Sequence, residues 1–325
     1  MSKKTEQAWR QADEAYERGD YATALAKLRP LAQAGDMWAQ SNLAHLYESG
    51  LGVERDAAAA ARWYRKAAEQ GDATAQNYLG TLYEDGLAVE QDYEAAVRWY
   101  RLAAKQEDAS AQYNLGQMYD EGLGVEQDFT AAVKWYRLAA DQGNPDAQVS
   151  LGSMFHEGLG VARDDSEAMR LYRLAAEQEH GDALCNLGIM YESGQGVAKD
   201  LAEALRWYRL AAEQGSTTAQ YNLGVMHENG QGVPAGLAEA IRWYRLAADH
   251  GDESGQYAIG CAYAEGQGVE RDLVRARAWA LLAAEGGDED APELLEELAG
   301  EMSLDQIAEA ERLAEELREK IEAAD

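Results

Sequence analysis

The chain has 325 residues, and its 59 acidic and 29 basic side chains give a formal net charge of −30 at pH 7. This charge repels phosphate backbones, which excludes general binding of DNA or RNA. No uninterrupted apolar run reaches the length of about 18 residues that a membrane-spanning helix needs, so we expect no membrane insertion.

The start of the chain lacks the apolar stretch of a secretion signal over residues 1–7. The chain as written is therefore expected to be cytoplasmic, although a periplasmic or secreted chain whose signal has been removed would read the same. Its 2 cysteines, Cys185 and Cys261, are too few for a disulfide framework and are expected to be free thiols. The 5 histidines are not spaced as zinc ligands, so we expect neither a metal nor a cofactor.

A short N-terminal capping hairpin of two helices is predicted over residues 1–36. From residue 37 to residue 288 the sequence then repeats every 36 residues without an insertion. The pair Trp-Tyr marks most copies, and Leu171-Tyr172 and Trp279-Ala280 stand at the same position in two others. The pairs are Trp63-Tyr64, Trp99-Tyr100, Trp135-Tyr136, Trp207-Tyr208 and Trp243-Tyr244. Seven copies of one structural unit are therefore predicted.

Each unit is predicted to contain two helices, as residues 73–108 illustrate. Asp72 is a favourable N-cap, and apolar residues such as Leu79 then recur at helical spacing along one face. A loop that contains Gly86 follows, and Asp92 caps a second helix. This order predicts an α/α hairpin.

A glycine recurs in the middle of the first helix, where it costs about 1 kcal/mol relative to alanine. A repeated cost at one position implies that another helix crosses there with no room for a methyl group. The glycines are Gly80, Gly116, Gly152, Gly188, Gly224 and Gly260, and the first copy has Ala44 instead.

Residues 289–325 are predicted to form a C-terminal capping hairpin, whose last helix begins after the N-cap Ser303 and has a polar outer face. The hairpins together predict an all-α fold. We expect a right-handed α/α superhelical solenoid of about nine helix–turn–helix repeats that forms one continuous domain.

The repeated pattern resembles the Sel-one-like repeat, which is related to the tetratricopeptide (TPR) repeat. It runs Ala-x-Ala-Gln-x-Asn-Leu-Gly-x-x-Tyr-x-x-Gly-x-Gly-Val, then Asp, then Ala-x-x-Trp-Tyr-Arg-x-Ala-Ala, and residues 109–140 carry it almost completely. The resemblance implies a TPR-like superhelix that acts as an adaptor or scaffold for other proteins and not as an enzyme. Some secreted relatives have a disulfide in each repeat and are described as penicillin-binding, but this chain lacks those cysteines.

Two other functions stay open at this point. The uninterrupted period also fits an engineered or structural repeat array without a natural ligand, although irregular variation on the presumed ligand face favours a natural binder. A weak penicillin-binding protein or β-lactam hydrolase is suggested only by the family's associations, because the sequence offers no nucleophile–base pair.

Two repeated features could bind anions. Gly-x-Gly loops such as Gly122-Leu123-Gly124 lack the preceding strand of a phosphate loop and are interpreted as structural turns. A column of arginines is interpreted as ion pairs with acids four residues later on the same helix, with anion binding as the alternative. The column consists of Arg65, Arg101, Arg137, Arg173, Arg209 and Arg245.

The candidate ligand site lies on the first helices of the units. In TPR proteins the matching asparagine can face the concave groove and hold a ligand backbone, and the resemblance implies that role here. The alternative is an inter-repeat hydrogen bond. Tyrosines in the neighbouring position are expected to supply apolar contact. The predicted groove residues are Asn42, Tyr113, Asn114, Asn186, Tyr221, Asn222 and Tyr257.

Acidic residues follow on the same helices and are predicted to form a negative rim. They are Glu48, Glu84, Asp120, Glu192 and Glu228. We therefore predict a non-enzymatic protein–protein interaction scaffold that binds a neutral or basic peptide segment in its concave groove.

Overall fold

Helical hairpins build the described part of the chain. The structure is a computed structural model that describes residues 3–323, and within them it contains 18 α-helices and no β-strand. The predicted all-α fold of about nine helical hairpins is confirmed. The two predicted capping hairpins begin at residue 1 and end at residue 325, and the expected lack of a secretion signal concerns residues 1–7. Parts of these predictions fall on residues 1–2 and 324–325. They lie outside the described residues.

The helices divide between two units, residues 1–163 and residues 164–325. The first unit contains α1 Lys3–Glu17, α2 Tyr21–Gln33, α3 Met37–Ser49, α4 Ala57–Glu69, α5 Ala73–Asp85, α6 Tyr93–Ala104, α7 Ala109–Glu121, α8 Phe129–Asp141 and α9 Pro145–Glu157. The second contains α10 Asp165–Ala176, α11 Gly181–Ser193, α12 Leu201–Glu213, α13 Thr217–Asn229, α14 Leu237–Asp249, α15 Glu253–Glu265, α16 Leu273–Gly286, α17 Ala291–Glu301 and α18 Leu304–Glu322.

The sequence sets both ends of a typical first helix. The Asp72 carboxylate accepts a hydrogen bond from the Ala75 amide at 2.7 Å and so caps α5. The same helix ends at Gly86, whose φ of 70° lies in the left-handed region that favours glycine. Asp92 caps α6 in the same way, through the Ala95 amide at 2.8 Å. The predicted hairpin over residues 73–108 is therefore present, with its caps at the expected positions.

A buried tyrosine ring explains the glycine in the middle of the first helix. Tyr136 on α8 is only 2% exposed. A methyl group added at Gly116 on α7 would lie 2.6 Å from that ring, which is closer than real contacts allow. The expectation that no methyl group fits is confirmed here, and the neighbour is an aromatic side chain of the same hairpin. Equivalent pairs are Gly80–Tyr100, Gly188–Tyr208 and Gly224–Tyr244.

Buried glutamines join neighbouring hairpins. Gln112 on α7 is 3% exposed, and its side-chain amide donates to the Ala104 carbonyl at the end of α6 over 3.3 Å. Its side-chain oxygen accepts a hydrogen bond of 2.8 Å from Gln142, which follows α8. Each buried polar group is thus satisfied, so the glutamine stabilises the stack without leaving an unpaired donor or acceptor. Gln40 and Gln76 make the same two contacts in the preceding repeats.

The arginine column also joins neighbouring hairpins. The sequence suggested acidic partners on the same helix, and the structure adds partners on the next hairpin for Arg65, Arg173 and Arg245. Their guanidinium groups donate to tyrosine hydroxyls on the first helix of the following hairpin, because that hydroxyl lies within reach across the helix interface. The bonds are Arg65–Tyr83 at 3.0 Å, Arg173–Tyr191 at 3.1 Å and Arg245–Tyr263 at 2.8 Å.

The second glycine of the Gly-x-Gly loops permits a close approach of two backbones. A methyl group added at Gly124 would lie 2.4 Å from the Tyr93 carbonyl at the start of α6. Gly124 also has a φ of 66°, a backbone angle that residues other than glycine rarely adopt. These contacts support the interpretation of the loops as structural turns.

The last helix packs against α16. Leu317 and Ile321 on α18 join the apolar cluster around the buried Trp279 of α16. Arg318 also pairs with Glu285 on α16 at 2.6 Å. The predicted N-cap Ser303 is present, with a reciprocal capping box to Gln306.

The tyrosine–glycine contact predicts that Gly116→Ala destabilises the protein. The added methyl group overpacks Tyr136, and the gain in helix propensity offsets part of that cost, so the free energy of unfolding should fall by roughly 1–2 kcal/mol. Urea unfolding followed by circular dichroism measures the change. Gly260→Ala is the control, because Ala280 replaces the tyrosine there and the nearest atom lies 3.3 Å away. Equal losses in the two variants would contradict the explanation.

Candidate functional site

The four predicted asparagines lie on first helices, but two of them already make internal hydrogen bonds. The Asn42 amide donates to the Trp38 carbonyl of its own helix at 2.9 Å. Asn114 donates to the Asn77 side chain of the preceding repeat at 3.0 Å, which is the inter-repeat bond considered as the alternative. Asn222 is half-buried and lies near the Tyr208 hydroxyl. Asn186 is half-buried on α11.

The predicted tyrosines stand beside the buried core tyrosines. The Tyr113 ring lies 5.8 Å from the Tyr136 ring, and the Tyr221 ring lies 5.5 Å from the Tyr244 ring, measured between centroids. These are normal separations for favourable aromatic pairs. Tyr257 on α15 is half-buried and lies beside the thiol of Cys261 one turn later. Each ring therefore keeps part of its surface open on the face of the first helices.

The predicted acidic rim is tied to the core. Each carboxylate accepts a hydrogen bond from the hydroxyl of the core tyrosine in its own hairpin. The pairs are Glu48–Tyr64 at 2.7 Å, Asp120–Tyr136 at 3.1 Å, Glu192–Tyr208 at 2.7 Å, Glu228–Tyr244 at 2.7 Å, and Glu84–Tyr100. The row therefore satisfies buried hydroxyl groups, a role that the sequence analysis did not anticipate.

Burial changes the proton affinity of these pairs. It raises the pKa of the Glu84 and Asp120 carboxyl groups, and the hydrogen bond from the tyrosine offsets part of that rise. It also raises the pKa of the Tyr100 and Tyr136 hydroxyl groups, because a phenolate would be desolvated and would face a carboxylate. The tyrosines thus stay neutral and act as donors.

One cleft in the second unit brings three predicted site residues together. Tyr221 and Glu228 on α13 face Tyr257 on α15 across a space of about 360 Å³. Its apolar floor includes Leu237 and Ile241 of α14. The remaining lining residues are Ala240, Tyr244, Ala258, Cys261, Ala262, Glu265 and Gln267.

A second cleft of about 260 Å³ lies between α3 and α5 in the first unit, and Asn42 is the predicted site residue that lines it. The other lining residues are Trp38, Ser41, His45, Tyr64, Asp72, Thr74 and Tyr78. The other predicted groove and rim residues line neither cleft: Glu48, Glu84, Tyr113, Asn114, Asp120, Asn186, Glu192 and Asn222.

Comparison with known families identifies the repeat. The model of the Sel1 repeat matches seven segments: residues 39–72, 73–108, 109–144, 145–180, 181–216, 217–252 and 254–288. The chain belongs to the Sel1 repeat family. Sel1 repeat proteins generally serve as protein–protein interaction scaffolds and are generally not catalytic.

Two solved Sel1-type structures resemble the chain. The Sel1 repeat protein from Oxalobacter formigenes is 35% identical with a TM-score of 0.68, and the match covers 73% of this chain and 94% of that one. A protective antigen of uropathogenic Escherichia coli strains with an SLR fold is 29% identical with a TM-score of 0.49, and the match covers 98% of this chain and 84% of that one. No curated protein matches the sequence.

The two clefts also contain residues that were not predicted as site residues from the sequence. Trp38 is 61% exposed beside Asn42, and an indole in the first turn of a repeat, where the other copies have smaller side chains, is the signal that could have identified it. In the last repeat Ala264 replaces the acidic residue of the predicted row, and Glu265 is the next residue. It places a carboxylate in the same cleft as Glu228.

Residues 3–323 contain no group of three or more His, Cys, Asp or Glu side chains that could hold a metal ion. Within the same residues, no helix is long and apolar enough to cross a membrane. Cys185 and Cys261 are both free thiols, as predicted.

The raised carboxyl pKa values predict a pH dependence of stability. A carboxyl group whose pKa is higher in the folded state stabilises the fold while it is protonated, and this stabilisation is lost as the pH rises through the folded pKa. We expect Glu84 and Asp120 to lower the Tm as the pH rises above their ordinary pKa values of 4.5 and 3.8. The double variant Glu84→Gln, Asp120→Asn should show a flatter Tm profile in thermal unfolding.

A charge-matched control separates this effect from general charge repulsion. Glu126 and Asp141 are exposed, and their replacement by Gln and Asn removes the same net charge. The control should retain the slope of the parent protein. A control profile as flat as that of the double variant would contradict the assignment to the buried pairs.

Proposed function

We propose that this Sel1 repeat protein is a non-enzymatic scaffold that binds a neutral or basic segment of a partner protein on the face of its first helices. The observation that carries the proposal is the cleft between α13 and α15, because Tyr221, Tyr257 and Glu228 line it together. Two neighbouring repeats contribute to this cleft, as expected for a ligand that lies across the stacked hairpins.

The lining of the cleft fits a side chain with an apolar stem. Leu237 and Ile241 supply aliphatic contact, and Tyr221 and Tyr257 supply aromatic surface. Tyrosine contributes a large contact area with little loss of conformational freedom, which is why it is frequent at protein interfaces. The volume of about 360 Å³ is at the lower end of the range for ligand pockets, which suits one long side chain.

The charge of the cleft favours a cation at the end of that stem. Glu228 accepts from Tyr244 through Oε2, and Glu265 accepts from Gln267 through Oε2. Each carboxylate therefore keeps its Oε1 for a ligand, and a guanidinium or ammonium group between them would form charge-assisted hydrogen bonds. The net charge of −30 also attracts basic partners over a longer range and increases their rate of encounter.

A binding experiment tests the proposal. The probe is a blocked peptide, acetyl-Gly-Ser-Arg-Ser-Gly-amide, with the citrulline peptide as its neutral isostere, titrated against the isotope-labelled protein by NMR. We expect the arginine peptide to bind more tightly, and Tyr257→Ala to weaken it about tenfold, which is the cost of losing an aromatic anchor. Equal affinity for the two peptides would contradict the role of the two carboxylates, and equal binding by Tyr257→Ala would contradict the role of this cleft.

Amide variants of the acidic residues give a sharper test than charge reversal. Glu228→Gln and Glu265→Gln keep an oxygen that can accept the internal hydrogen bonds, so the fold should persist while the preference for arginine over citrulline is lost. The charge-matched control is the pair Glu213→Gln and Glu297→Gln, which are exposed and lie outside the cleft. The control should retain the preference.

A further inference from the structure

A larger cavity lies in the first unit, between α4 and the loop of residues 86–92. Its volume is about 620 Å³. Three of its lining side chains are basic and one is acidic, so the local charge is opposite in sign to that of the whole chain. The lining residues are Ala58, Ala61, Arg62, Trp63, Arg65, Lys66, Glu69, Ala88 and Val89.

Lys66 is the first departure of this repeat from the common pattern. Its position is held by leucine in the six later repeats: Leu102, Leu138, Leu174, Leu210, Leu246 and Leu282. The exposed Lys66 ammonium group lies 4.4 Å from the centroid of the Trp63 ring. The repeat thus exchanges an apolar side chain for a cation at the wall of the cavity.

The second departure is the loss of the acidic residue that precedes the arginine at the position of Arg62 in other repeats. The equivalent arginines have an acid one turn earlier on their own helix: Arg98 pairs with Glu94 at 4.0 Å, and Arg206 pairs with Glu203 at 3.3 Å. In α4 the five residues between the N-cap Asp56 and Arg62 are all alanine. These alanines remove the intrahelical partner and leave small side chains, Ala58 and Ala61, on the cavity wall.

Ala88 is the third departure. The other six repeats have glycine here, and at Gly124 an added methyl group would lie 2.4 Å from the backbone of the preceding second helix. Ala88 carries that methyl group and adopts a φ of 59°, which is uncommon for a residue other than glycine. Such a methyl group needs more room beside the backbone of α4 than a glycine does. The cavity opens at this point.

We propose that this cavity binds a small organic anion, a carboxylate attached to an apolar body. Three changes in two neighbouring repeats meet at one cavity, and each makes the net charge there more positive or adds room. The alanines, Val89 and the Trp63 edge supply apolar contact, while Arg62 and Lys66 supply the charge for the carboxylate. Arg65 contributes less freely, because it already donates to the Tyr83 hydroxyl at 3.0 Å.

The charge of the whole chain limits the size of the ligand. A polyanion such as an acidic tail or a nucleic acid would meet the repulsion of a net charge of −30 over most of its length. A ligand with one or two charges can satisfy the local cations at little long-range cost. The volume also lies within the range of roughly 300–1,000 Å³ typical of small-molecule sites.

The test uses 2-naphthoate as the probe, with the uncharged 2-naphthamide as its isostere. The Trp63 indole signal in NMR, assigned with Trp63→Phe, reports on the cavity. We expect a saturable shift of this signal with 2-naphthoate and at least about tenfold weaker binding of 2-naphthamide, the effect of losing charge-assisted contacts. Equal binding of the two probes, or shifts spread over all 8 tryptophans, would overturn the proposal.

Two variants introduce residues that the other repeats already have, so we expect them to fold normally. Lys66→Leu and Ala88→Gly each restore the residue of the other repeats, and both should weaken 2-naphthoate about fivefold or more, one by removing charge and the other by closing the cavity. Arg98→Gln on α6 is the matched control and should leave the affinity unchanged. Unchanged affinity in both restoring variants would contradict the site. Inorganic phosphate that binds as tightly as 2-naphthoate would contradict the proposed contact with the apolar body of the ligand.

Discussion

The structure depends on how one tyrosine of the second helix fits against the first helix of its hairpin. The Tyr136 ring fills the space above Gly116, and its hydroxyl reaches the Asp120 carboxylate one turn later. The two helices must therefore approach closely and in a single register. Because the contact uses a glycine and an acid four residues apart on the same helix, it also explains why the acidic row recurs along the face of the first helices.

Polar contacts then hold one hairpin against the next. Gln112 bonds the end of the preceding helix, and Arg101 donates to the Tyr119 hydroxyl of the following hairpin at 2.7 Å. Small alanine side chains alone would allow neighbouring hairpins to slide, because they offer few distinct positions. Directional hydrogen bonds at a buried interface favour one position and penalise the others, since a displaced donor would be left unpaired.

The sequence was sufficient to predict the helices and caps but not the polar partners. Asp72, Gly86 and Ser303 mark helix ends because capping depends on residues close in sequence. Arg65 was assigned to a neighbour on its own helix, whereas its partner Tyr83 lies 18 residues away on another hairpin. The clefts were harder still. Tyr221 and Tyr257 hold the same position in neighbouring repeats and line one cleft. The cavity beside Ala88 depends on how the loop packs against α4, which no spacing rule contains.

The glutamine contacts have a consequence for how such a chain changes its length. Gln112 donates a hydrogen bond to a carbonyl 8 residues earlier and accepts one from a side chain 30 residues later. Gln76 bonds at the same two offsets. Each bond depends only on these offsets. Duplication or excision of a whole repeat during evolution would regenerate the same bonds at the new junction. An insertion of any other length within the helices would separate donor from acceptor, which favours copies of constant period.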